Sequence, residues 1–170
     1  MSDPATSTAR EHSGDVYEIE RLKYRYLRAL DTKAWDDFAD TLTEDVRGDY
    51  GNAPDGTALR FSDRESLVGY LREAMGGRGV ITEHAATHPE IDIDEDGYGA
   101  SGTWYLHDRV IVAEFDFMLI GAAIYSDRYR LTAEGWKIAE TGYERTYEAT
   151  MSLKGLDFSI TPGAALAGGS

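Results

Sequence analysis

The side chains best suited to chemistry in this chain are one acid, a few histidines and several tyrosines. Asp31 ends an amphipathic run, with Tyr24 and Tyr26 before it and Tyr50 on the following strand segment. A carboxylate at the C-terminal end of a helix meets the negative end of the helix dipole. Asp31 also follows Leu27 by four residues, which places it near the buried stripe. Both features make it a better proton acceptor at neutral pH. The competing reading is that Asp31 simply caps the next helix.

Histidines are the natural partners for such an acid. His84 and His88 are four residues apart on one expected strand, so regular alternation points both to one face. His107 closes the next strand on the face of Tyr105 and Thr103. Histidine and carboxylate together are also suitable metal ligands. No pair, however, stands four residues apart on an expected helix, and nothing fixes a third ligand. The chain contains no G-x-S-x-G elbow and no phosphate-binding loop of the G-x-x-x-x-G-K-[ST] type. With no cysteine there is neither a thiol nucleophile nor a disulfide framework. What remains is proton-transfer chemistry.

The elements that must position these groups can be read from periodicity. Residues 1–14 are small and polar and are expected to form a disordered tail. Ile19, Leu22, Tyr26 and Leu30 recur at helical steps from Asp15, a candidate N-cap. Thr32 is expected to cap a second helix carrying Trp35, Phe38, Ala39 and Leu42. A strand follows at Val46–Tyr50. A capping box at Ser62–Glu65 opens a third helix, which ends at Gly76-Gly77. Thereafter the chain reads as strands: around Ile91 and Ile93, from Tyr98 to His107, through the apolar segment Val110–Tyr125, and from Trp136 after the turn at Gly135. Helices first and a sheet afterwards is the signature of an α+β domain.

With 170 residues and no linker, one domain is expected, and a net charge of −14 argues against a nucleic-acid or anionic-membrane partner. The first residues lack the apolar core of a secretory signal, and no run reaches the ~18 apolar residues of a membrane span. A cytoplasmic location is the expectation. Residues 15–150 would form the domain, with 151–170 an extension at an oligomer interface or over a pocket mouth.

The segments YLRALDTKAWDDFADTLTEDV, EHAATHPEI and DRYRLTAEGWKIAE resemble the SnoaL-like branch of the nuclear transport factor 2-like superfamily, over about residues 15–150. The resemblance implies a cone: a curved, mostly antiparallel sheet closed by three N-terminal helices around a deep pocket. Scytalone dehydratase and related small dehydratases are the nearest pattern within it. By that resemblance the catalytic set is Asp31, His84, His107 and Tyr50, with Tyr26 standing in where the pattern has a tyrosine before the acid and this chain has Leu30. Ser126, Arg145, His88 and Trp104 are the expected substrate contacts. The implied activity is a cofactor-independent dehydration of a small, hydrophobic cyclic hydroxy-ketone or polyketide-like compound, needing no metal. Cyclisation, isomerisation, epoxide hydrolysis, dehydrohalogenation and a non-catalytic binding module are the alternatives. A homo-oligomer is expected, a trimer in preference to a dimer.

Overall fold

A computed structural model describes residues 4–53 and 55–166, with side chains from Ser13 onward. The chain runs α1 (Pro4–Thr32), α2 (Trp35–Asp40), β1 (Leu42–Asn52), β2 (Ala58–Phe61), α3 (Arg64–Met75), β3 (Val80–Ile93), β4 (Gly99–Val112), β5 (Phe117–Thr132) and β6 (Gly135–Ser152). Short 3₁₀ turns occur at Ala113–Phe115 and Ala164–Leu166. Six strands form one sheet in the order β2-β1-β6-β5-β4-β3. Every pairing is antiparallel except β1 with β6. The architecture is the expected α+β cone, but the sheet stays open: β2 and β3 are its edges.

Local chemistry explains most departures from the periodicity reading. Helix α1 starts at Pro4, so residues 4–14 of the expected disordered tail are helical; His12 lies outside the residues whose side chains are described. Asp15 is consequently within the helix, and its carboxylate accepts the indole N–H of Trp136 at 3.0 Å rather than capping. Thr32 does not cap α2 either, because its hydroxyl donates to the Arg28 carbonyl. The α3 cap is Asp63, one residue after Ser62, accepting the backbone N–H of Ser66 at 2.8 Å. The apolar segment from Val110 is two strands, divided where Asp116 adopts a left-handed φ of 50° that aspartate tolerates. Strand β2 lies among turn residues and carries no alternation that periodicity detects. No helix among the described residues is long and apolar enough to cross a membrane.

The apolar stripe of α1 lies across the inner face of the sheet. Ile19, Leu22, Leu27 and Leu30 join Phe38, Leu67, Leu71, Trp104, Leu106 and Ile138 in one buried cluster. Register irregularities at Thr87–Glu90, Ala122–Ala123 and Arg128–Tyr129 bend the long strands around this helix.

One member of the helical stripe is charged. The Lys23 ammonium lies 2.7 Å from Asp127 Oδ2, and both side chains are 0% exposed. It faces the ring of Tyr125 at 3.4 Å and that of Tyr26 at 4.8 Å. Asp127 also accepts the hydroxyls of Tyr129 and Thr141, each at 2.8 Å. Burial pulls the Lys23 amine below its ordinary range, and Asp127 opposes that shift. A buried pair contributes little net stability when intact, but removing one partner leaves an uncompensated charge. Asp127→Ala should therefore cost about 3–5 kcal/mol in urea denaturation. The paired Lys23→Met/Asp127→Leu variant should recover most of that loss.

Candidate active site

The last turn of α1 delivers Asp31 to the edge strand β3. The helix closes with Lys33 N–H on the Leu30 carbonyl (3.3 Å) and Ala34 N–H on the Ala29 carbonyl (2.9 Å). These are the two bonds of a Schellman end, whose left-handed position is usually glycine. Lys33 occupies it here with φ 61°. A side chain in that conformation costs roughly 1–2 kcal/mol.

The Asp31 carboxylate is bound on both oxygens. Oδ1 accepts the Thr82 hydroxyl at 2.8 Å and lies 2.7 Å from His84 Nδ1, while Oδ2 accepts the His84 backbone N–H at 2.9 Å. Its side chain is 21% exposed and that of His84 is 7% exposed. The capping alternative fails: α2 has Ala34 at its N-cap and no side-chain cap bond. With Nδ1–H donating to the carboxylate, the lone pair of the neutral imidazole is on Nε2, the atom available to act as a base. Thr82 in turn accepts a hydrogen bond from the Lys33 ammonium at 3.1 Å.

Beside the dyad is an acid that the sequence reading missed. His84 pairs directly with Asp108 across β3 and β4, on the inner face. Asp108 is held by a bidentate contact with Arg145, at 2.5 and 2.8 Å. The pair crosses β5 at Gly121, where a Cβ would lie 2.6 Å from Arg145 Nη1 and 2.8 Å from Asp108 Oδ1. Burial disfavours the guanidinium charge, but Asp108, Tyr143 and Glu148 together outweigh it and raise the Arg145 pKa. Arg145 also stands over the Tyr143 ring at 4.8 Å.

From Tyr143 the wall continues in aromatic steps. Its ring is 5.4 Å from that of Tyr50, whose hydroxyl is 2.8 Å from the Tyr26 hydroxyl. Burial raises both phenols well above the ordinary tyrosine range, so both remain protonated at neutral pH. Asp31, His84, Arg145, Tyr50 and Tyr26 thus all belong to the inner side of the sheet and the helix facing it.

The other expected site residues are not brought to this wall. His107 is exposed on the outer face and stacks on Tyr105, ring centroids 5.4 Å apart. Inward positions on β4 are Trp104, Leu106 and Asp108. Trp104 and His107 are an odd number of residues apart on one strand, so they cannot share a face. The buried tryptophan was the signal that Asp108, rather than His107, points in. Ser126 is likewise on the outer face opposite Gly142, and the inward residue beside it is Asp127. His88 sits at the β3 bulge with φ 52°, exposed, its Nδ1 2.9 Å from the Thr87 hydroxyl. The extra residue shifts the alternation after Ala86, which breaks the four-residue spacing argument. Trp104 is inward and buried, with its N–H committed to the Tyr129 hydroxyl at 2.9 Å. No group of three or more histidine or acid side chains among the described residues is placed to hold a metal ion.

Comparisons with known proteins agree with the fold. The structure aligns with a candidate scytalone dehydratase from Novosphingobium aromaticivorans at TM-score 0.70 and 19% identity, covering 92% of this chain and 93% of that one. ActVI-ORFA from Streptomyces coelicolor aligns at TM-score 0.64 and 17% identity, covering 78% and 98%. The β subunit of benzoate 1,2-dioxygenase from Burkholderia mallei aligns at TM-score 0.64 and 18% identity, covering 78% and 91%. At these identities the likeness is one of fold. A family profile for the SnoaL-like domain matches residues 11–142, and on that match the chain belongs to the SnoaL-like family.

Proposed function

We propose that this protein is a cofactor-independent dehydratase of small cyclic hydroxy-ketones or polyketide-like compounds, with the Asp31–His84 pair as its base. The 2.7 Å contact between Asp31 Oδ1 and His84 Nδ1 carries the reading. His84 Nε2 removes the proton next to the substrate carbonyl, and Asp31 stabilises the imidazolium that forms. The negative charge moves to the carbonyl oxygen. With Tyr26 donating to Tyr50, the Tyr50 proton is free to meet that oxygen. The C–O bond at the β position then breaks, and hydroxide takes the proton back from His84 Nε2. One C–H and one C–O bond are lost, one C=C bond forms, and water leaves. His107 faces away from the pair, so the returning His84 proton performs the acid step alone.

Arg145 and Asp108 form the polar part of the wall beside His84, and Tyr50, Tyr143 and Phe61 the aromatic part. That combination favours a ring compound carrying a few oxygens. Cyclisation, isomerisation or hydrolysis would begin with the same proton abstraction, so the product identifies the reaction. Asp31→Asn and His84→Ala should each lower turnover of a cyclic β-hydroxy-ketone by roughly 10²–10⁴-fold, followed as the rise in enone absorbance. Their circular dichroism should stay unchanged, and His107→Ala should retain near wild-type turnover. Full activity in either dyad variant would remove this mechanism.

A trimer assembled through the outer sheet face is part of the same proposal. Tyr105, Ile120, Tyr147 and Met151 expose apolar surface there, 39–50% each. Light scattering should give three times the chain mass, and Tyr147→Glu should lower it; a monomeric wild type would overturn the assembly.

A further inference from the structure

A cavity lies outside the dyad wall, and its lining differs in charge from the rest of the chain. It measures about 860 Å³ and is bordered by Lys33, Trp35, Arg72 and Arg78, with Pro162, Gly163, Ala164 and Leu166 along another side. That volume is in the range of small-molecule sites. Acids outnumber bases 31 to 17 in this protein, and about half of the cations are paired with carboxylates among the described residues, as in Arg60–Asp49, Arg109–Glu83, Arg128–Asp94 and Arg130–Asp45. Arg72 and Arg78 engage no carboxylate among the described residues, and Lys33 spends its hydrogen bond on Thr82. Arg72 also complements the C-terminal turn of α3, which accounts for one of the three cations and not for their gathering. Asp36 and Asp37 border the cavity from the first turn of α2, where the helix dipole favours acids. Three cations against two acids leave the lining positive.

A separate observation concerns Lys33. It holds a left-handed position that glycine would occupy without strain, and it lines the cavity with its ammonium one hydroxyl away from Asp31. Retaining a strained side chain at a helix end is understandable if the side chain itself has a task.

We propose that this cavity binds an organic anion, its charged group held by Lys33, Arg72 and Arg78, its body against Trp35, and the 162–166 segment over it. A carboxylate or phosphate on the substrate or on a carrier attached to it has the required chemistry. Binding draws the Lys33 ammonium from Thr82 and changes the hydrogen bond that Thr82 gives Asp31, making Lys33 a positioning residue. The binding claim stands independently, whereas its consequence for catalysis rests on the dyad reading.

The test uses the full chain and two fluorescent probes, anionic 8-anilinonaphthalene-1-sulfonate and uncharged N-phenyl-1-naphthylamine. The anionic probe should bind saturably, one per chain. Arg72→Gln/Arg78→Gln should weaken it at least tenfold while leaving the uncharged probe unaffected. Both arginines are exposed, and either single substitution serves if the pair disturbs folding. Lys33→Gly should melt no lower than wild type yet bind the anion more weakly. Equal binding of the anion by wild type and the arginine variants, or equal binding of the two probes, overturns the site. The His84 ring nitrogen resonances should move when the anionic probe binds wild type and stay still in Lys33→Met; unmoved wild-type resonances overturn the link to Asp31. Neither readout needs turnover, so loss of the dehydratase reading would leave a positive binding result intact.

Discussion

Helix α1 is pinned to the inner face of the sheet by two carboxylates, and most of the architecture depends on those two points. Near its middle, Lys23 reaches Asp127 on β5 in a fully buried pair. At its end, Asp31 takes three hydrogen bonds from Thr82 and His84 on β3. The first contact fixes where the helix crosses the sheet. The second fixes the end of the helix against an edge strand that otherwise lacks a partner on one side. The same carboxylate that docks the helix also orients the imidazole. Stability and the proposed chemistry are therefore linked through one side chain.

Charge is arranged in pairs across the interior. Lys23 with Asp127, and Arg145 with Asp108, each neutralise a carboxylate that the low-dielectric interior would otherwise disfavour. The Arg145 pair is less buried than the Lys23 pair, at 24% and 3% exposure against 0% for both partners. This gradient separates a fully buried pair from one that keeps partial access to solvent. Gly121 makes the second crossing possible by leaving its side-chain space to the two ions.

Much of this was legible in the amino-acid sequence. Helical steps in α1 located Tyr26 and the end of the run at Asp31, since three- and four-residue recurrence is a local property. Segments resembling the SnoaL-like pattern indicated the cone and paired Asp31 with His84. The differences between expected and observed placement share a physical cause. A strand side chain changes face with every residue, so the shifts from Asp108 to His107 and from Asp127 to Ser126 move a residue from the inner face to the outer one. His88 departs from its expected face for a related reason: a bulge adds one residue to β3 and inverts the alternation beyond it.

Sequence by itself determined the α+β class, the helix that carries Tyr26 and Asp31, and the residue types left for proton transfer. Those are questions of local periodicity and composition. Only the tertiary structure decided which member of each adjacent strand pair faces inward, that Lys23 is buried rather than solvated, and that Lys33 stands between an outer cavity and Asp31. Each depends on how separate elements meet across the sheet. Strand register and buried ion pairing are set by partners distant in the chain, such as Lys23 and Asp127, and no local window contains both.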